Sequence, residues 1–274
     1  MSDFERNAAA AQYSHPLTGA EAAVVDEGLR AYMLRIYNSM VLGLAITGFA
    51  ALGVYLLSVT NDPAAAAKVV RGGVEAAARI SSTLYLTPTG YALFVSPLKW
   101  LVFLAPLALV FLLSFRIDSM RPRTALITFW IYAALVGLSL GSIFLVYTHT
   151  SVVRVFFITA ASFGSLSLWG YTTQRDLTGF GSFLIMGLFG IIIASLVNAF
   201  LGSSTLQWMI SIVGVLIFAG LTAWDTQRLK NDYVAGTMQG EVLEKSAIMG
   251  ALSLYLDFLN LFVMLLQLLG QRDE

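Results

Sequence analysis

The chain contains no cysteine, which excludes disulfides, thiolate metal sites and cysteine nucleophiles. Two histidines, His15 and His149, are too few for an all-histidine metal centre. Charge is scarce: Asp, Glu, Lys and Arg make up 12% of the 274 residues, about half the share of a soluble protein. The 16 basic and 16 acidic side chains cancel, leaving no positive field for phosphates, and nucleic acid is excluded as a partner. Proline is limited to six residues. There is no nucleotide loop, haem motif or nucleophile triad, so neither a metabolic enzyme nor a resident cofactor is expected.

Apolar side chains fill the space that these absences leave. Hydrophobic residues make up 58% of the chain, more than a soluble sphere of this size can hide. The solvent for most of the chain is therefore lipid, and the expected fold class is all-α integral membrane.

Charge-free runs locate the spans, since a helix needs about 20 apolar residues to cross the hydrocarbon. The first is Ile36–Asn61, too long for a secretory signal and not preceded by a basic segment. The second, Trp100–Phe115, is short, with Lys99 and Arg116 able to snorkel at its ends. The third falls within Thr124–Val153 and the fourth within Val155–Gln174. Leu177–Trp224 is a 48-residue run without charge, two spans' worth, and Gly202-Ser203-Ser204-Thr205 is its turn. The seventh runs from about Ser246 to Gly270. Pro106 is the one proline inside these spans.

Flanking Lys and Arg set the orientation. Arg6, Arg30, Arg35, Arg116, Arg121, Arg123, Arg175, Arg228, Lys230 and Lys245 fall on one side. Lys68, Arg71, Arg79, Lys99, Arg154 and Arg272 fall on the other, four of them in one long loop. The N-terminus is thus expected in the cytoplasm. Residues 1–30 read as a cytoplasmic tail and residues 31–274 as the membrane domain. The outer loop, residues 60–98, is inserted between the first two spans and reads as a lid or spacer. Lys68, Arg71, Glu75 and Arg79 recur there at helical spacing, which predicts an interfacial helix. Thr87-Pro88-Thr89-Gly90, between Leu84–Leu86 and Tyr91–Val95, predicts a short hairpin. Gly137 and Gly141 form a GxxxG pair, and Gly187, Gly190, Gly214 and Gly220 dot spans five and six. Glycines of this kind serve close helix packing.

Intramembrane charge remains. Asp257 stands in span seven with eleven uncharged residues before it and fourteen after. An ionised Asp at such depth costs about 2.5–3.5 kcal/mol to insert, so it must be protonated or paired. Asn260 lies one turn further along the same face. Asp225 closes span six at its cytoplasmic end, beside Gln227 and Arg228, where an Asp is often only solvated. Glu241 and Glu244 suit the first turn of span seven on dipole grounds alone. Asn198 reads as interhelical glue, and His149 as a solvated loop histidine.

Ala223-Trp224-Asp225-Thr226-Gln227 and Leu252-Ser253-Leu254-Tyr255-Leu256-Asp257-Phe258 resemble the Bax inhibitor-1 (transmembrane Bax-inhibitor-motif) family. The resemblance runs from Tyr37-Asn38 to the C-terminus. It implies a seven-helix bundle with the seventh helix central, and a hydrogen-bonded pair formed by Asp225 and Asp257. It also implies a pH-sensitive calcium leak of the bacterial inner membrane, in which a second-helix arginine competes for the aspartate. Arg116 is the residue in that position. The segment between the aspartates' helices, Thr226–Lys245, is long for the family.

Two carboxylates at hydrogen-bond distance in low dielectric share a proton and titrate as a unit. Losing that proton replaces attraction by repulsion and can bias spans six and seven between two packings. The same oxygens offer weak, transient ligation to calcium as the transported ion, far short of the six to eight oxygens that it takes. Other readings stay open. An intramembrane aspartyl protease would want Gly-x-Gly-Asp where Tyr255-Leu256-Asp257 stands, and a proton-coupled transporter would want broken helices and an internal repeat. The tail could also engage a membrane-anchored AAA protease, as it does in some relatives.

Overall fold

The computed structural model describes residues 19–71, 74–81, 83–234 and 240–272. Most of the expected tail, with Arg6 and His15, lies outside the described residues. Among the described residues there are eight α-helices: α1 (Gly19–Ser58), α2 (Pro88–Phe94), α3 (Lys99–Arg116), α4 (Pro122–Leu140), α5 (His149–Thr172), α6 (Thr178–Leu201), α7 (Ser204–Val234) and α8 (Glu241–Leu269). All but α2 are long and apolar enough to cross a membrane, which gives seven spans. The protein is an all-α membrane protein.

Three helices outrun their apolar stretches. α1 begins at Gly19, α7 continues to Val234, and α8 starts at Glu241. Charges end a hydrocarbon span without ending a helix, because backbone hydrogen bonds persist into the headgroup region. The long connection expected over Thr226–Lys245 is therefore mostly helix, and residues 235–239 lie outside the described residues. Between α6 and α7, Gly202 takes the left-handed conformation (φ 62°), and its N–H caps Asn198 O at 2.8 Å. The tight turn falls where the sequence placed it.

The seventh span is central. α8 packs against α7, α1, α5 and α4, while α3 is seated on α4 and α6 on α7. Tyr255, fully buried at the middle of α8, meets the Thr47 hydroxyl of α1 at 2.6 Å. The rings of Phe129 and Tyr132 from α4 stand edge-on to it at 5.5 and 5.8 Å. The GxxxG pair lets α4 touch α1: a Cβ on Gly137 would come within 2.5 Å of Thr47 O, and one on Gly141 within 2.2 Å of Val54 Cγ1. Gly170 does the same for α5 against Ala223 O of α7.

The outer loop departs from expectation. Instead of an interfacial helix, β2 (Lys68–Arg71) and β3 (Val74–Ala77) pair antiparallel with Arg71 opposite Val74, and β1 (Val59–Thr60) pairs with β4 (Tyr85–Leu86). β-Branched Val69, Val70 and Val74 favour extended backbone, and Gly72-Gly73 between two such runs is a hairpin sequence. The charge spacing was coincidental. Thr87-Pro88 is likewise not a hairpin turn. Thr87 Oγ1 accepts from Gly90 N at 3.1 Å as the N-cap of α2, with Pro88 in the first turn. Thr87 also ties this corner to α1, its hydroxyl donating to Leu57 O at 2.7 Å and its N–H to Ser58 O at 3.0 Å.

Candidate functional site

The flanks assigned to the cytoplasm meet at one end of the bundle. Arg35 pairs with Glu244 at 3.6 Å across α1 and α8. Lys245 Nζ donates to Asp118 O, and Lys230 Nζ to Tyr171 O. Gln227 spans two elements at once: its Nε2 donates to Arg175 O at 2.7 Å, and its Oε1 accepts from Leu177 N at 2.8 Å.

Just inside this end lie the two aspartates. Asp225 does not close its helix, because α7 continues nine residues beyond it to Val234. It is 5% exposed, as is Asp257, and each carboxyl group acts on the other across the α7–α8 seam. The pairing arises because α7 and α8 run antiparallel as close neighbours, and Ser253 and Asp257 occupy one face of α8, four residues apart. Ser253 Oγ donates to Asp225 Oδ2 at 2.8 Å. Arg228 Nη2 stands 2.9 Å from Asp225 Oδ1, an ion pair that lacks hydrogen-bond alignment. Asp257 Oδ2 is buried and receives no hydrogen bond from a protein donor.

Arg228 is the bridge to the aqueous side. Its side chain is 41% exposed, its guanidinium covers the Trp224 ring at 4.8 Å, and it also reaches Ser253 Oγ at 3.4 Å. The structure does not bring Arg116 to the pair. Arg116 is exposed at the end of α3, a helix that packs on α4. The cation facing both carboxylates is Arg228, placed there because it follows Asp225 by three residues on one helix face. Asn260, one turn from Asp257, turns back on its own helix, its amide nitrogen donating to Leu256 O at 2.8 Å.

Sequence reasoning singled out neither Ser253 nor Arg228 as a site residue. Each carried a signal: Ser253 precedes Asp257 by four residues, and Arg228 follows Asp225 by three, both helical spacings that face one side. A hydroxyl chain beside the pair was also missed. Tyr37 Oη meets Ser167 Oγ at 2.5 Å, and Ser167 Oγ meets Thr226 Oγ1 at 2.9 Å, linking α1, α5 and α7. Glu241 and Glu244 do occupy the first turn of α8. Asn198 bridges α6 and α7 through Gln207 Oε1 at 3.0 Å. His149 is exposed at the start of α5, stacked on Phe144 and edge-on to Tyr55.

A cavity of about 1090 Å³ lies between α1 and α5, with Tyr37, Ser167 and Phe258 in its wall, and neither aspartate lines it. Its wall is apolar apart from Asp26, Arg30 and a few hydroxyls, as befits a lipid-facing cleft. The two buried aspartates lie instead in the α7–α8 seam. Among the described residues, no three His, Asp or Glu side chains converge as they would around a resident metal.

Seven spans, the last of them central and carrying one member of a buried carboxylate pair, define a helical membrane protein with an intramembrane di-aspartyl site. A family model described as Inhibitor of apoptosis-promoting Bax1 matches residues 29–274, and the chain belongs to this family, the Bax inhibitor-1 family. An uncharacterized protein of Rickettsia prowazekii is 42% identical over 94% of this chain and 96% of its own length. An uncharacterized protein of Caulobacter vibrioides is 42% identical over the whole of both chains. The inner membrane protein YbhL of Escherichia coli is 41% identical over 89% of this chain and 93% of that protein.

Proposed function

We propose that this protein is a passive, pH-regulated leak for cations, calcium among them, in a bacterial inner membrane. The observation that carries this reading is the buried pair Asp225–Asp257, with one cation, Arg228, between it and the aqueous end. Lys and Arg flank that end more densely than the other, so it is taken as cytoplasmic, together with the N-terminus.

With one shared proton the two carboxyls attract, and α7 stays against α8. Without it two anions face each other in a poorly solvated seam. Arg228 offsets part of that repulsion, and the remainder favours a packing in which the helices part. An arriving divalent ion finds the two carboxylates and the Ser253 hydroxyl, with water completing its shell. That is weak ligation, which suits an ion that must also leave.

Calcium flux into proteoliposomes, followed from about pH 5 to about pH 8 because a coupled carboxylate pair makes flux depend on protonation, tests the reading. Wild-type flux is expected to vary with pH, and Asp257→Asn, which cannot lose a proton, to flatten that dependence. A variant that titrates like the wild type would remove the pair from the mechanism. A silent wild type would remove the leak.

A further inference from the structure

A second polar cluster occupies the opposite end of the α7–α8 seam, and it carries no charge. Gln207 Nε2 donates to Gln267 Oε1 at 2.8 Å, and Ser211 Oγ donates to the same oxygen at 2.7 Å. Asn198 of α6 supports the cluster through Gln207 Oε1. Three contacts fix one antiparallel register: Ser211 opposite Gln267, Gly214 opposite Met264, and Asp225 opposite Ser253. Continued through the seam, that register sets Phe218 opposite Asn260 and Leu221 opposite Asp257.

The seam is therefore polar at both ends and apolar at its waist. Asp257 and Gln267 are about 15 Å apart along α8 at ~1.5 Å per residue. Between them on α8 the single polar side chain is Asn260, already bonded to its own helix. Met264 fills the hollow that Gly214 leaves, since a Cβ on Gly214 would lie 2.9 Å from both Cγ and Sδ of Met264. An unbranched thioether with three rotatable bonds, facing a residue without a side chain, can swing aside while the helices keep their places.

We infer that Met264, seated on Gly214, is the apolar gate of the α7–α8 seam, and that Gln207, Ser211 and Gln267 form a neutral second station for a partly hydrated cation. This inference rests on the leak reading. An apolar constriction closes a path by excluding water. Amide and hydroxyl groups reorient to present oxygen once the ion arrives, and being neutral they release it readily. The carboxylates attract the ion at one end, and Met264 sets how often it passes to the other.

The test is calcium flux through the full-length protein in liposomes. Met264→Ser, which opens and wets the waist, is expected to raise maximal flux severalfold. Met264→Phe, which overfills the Gly214 hollow, is expected to lower it severalfold, and Met264→Leu to conduct like the wild type. In all three the pH of half-maximal flux stays at the wild-type value. Two variants of opposite sign keep the test decisive where one fails to fold. Unchanged flux in the folded variants, with a conducting wild type, overturns the gate and leaves the leak standing. A shifted pH midpoint at unchanged maximal flux also overturns it, because Met264 would then belong to the sensor. A wild type that conducts nothing overturns the leak and the gate together.

Discussion

α6 has the most apolar window of the seven spans, yet only 17% of that window is buried inside the protein. For α8, which carries an aspartate in its interior, the share is 44%. In a soluble domain the most apolar element goes inside. Here lipid accepts α6 as readily as protein does, so hydropathy reports exposure, and the interior collects what lipid refuses. Ser211, Thr222, Asp225, Thr226 and Gln227 of α7 are buried, as is Asp257 of α8, while Phe189, Ile193 and Phe200 of α6 face outward. Buried polar side chains, more than hydropathy, distinguish α7 from α6.

The strongest test of that contrast moves a carboxylate from one helix to the other. Ile193→Asp puts an ionisable group on a lipid-facing surface without a partner, at a cost of about 2.5–3.5 kcal/mol. It is expected to abolish most membrane-integrated protein, as measured by protease protection in isolated membranes. Asp257→Leu should leave integration intact, because its site is interior and the change removes a buried charge. Equal losses in the two variants would break the contrast.

A smaller effect separates two glycines. Gly137→Ala brings a methyl within 2.5 Å of Thr47 O and 2.6 Å of Ala50, an overpacking worth about 1–3 kcal/mol, and lowers the Tm in detergent. Gly190→Ala on α6 meets nothing within 4 Å and leaves the Tm unchanged or higher, since Ala favours helix. The smallest effect lies at the centre. Tyr255→Phe gives up the Thr47 hydroxyl, while Thr47 keeps Ala133 O at 2.9 Å and Gly43 O at 3.0 Å. Interhelical hydrogen bonds in membranes average about 0.6 kcal/mol, so a Tm drop below that of Gly137→Ala is expected.

The spans were legible because lipid penalises each charge strongly enough to leave a blank in the sequence. The Gly202 turn and the Gly137–Gly141 contact were legible for related reasons, since backbone conformation and close approach leave few residue choices. Helix ends were not, because Arg30 or Lys230 stops the hydrocarbon and lets the helix run on. The outer loop misled because Lys68, Arg71, Glu75 and Arg79 satisfy a helical spacing that Val69, Val70 and the Gly-Gly pair outweigh. At the site, Asp257 announced itself through its isolation. Asp225 was understated because its neighbour Arg228 resembled ordinary interface charge. Resemblance pointed to Arg116 for the cation, whereas the helix geometry of α7 supplies Arg228. Ser253 was hidden because a serine in a span is commonplace, and only the register of two helices gives it a partner.

Gln227 holds the start of α6 at one end of α7, and Asn198 with Gln207 holds its finish at the other. A rod fastened to its neighbour at both tips cannot slide along it, so any tilt of α7 carries α6 through the surrounding fluid as well. α6 offers lipid a broad, greasy wall, and tilting that wall alters how much hydrocarbon must be covered. Bilayer thickness thereby enters the energetics of the helix that carries Asp225 as mechanical work, delivered through a neighbour that carries no chemistry of its own.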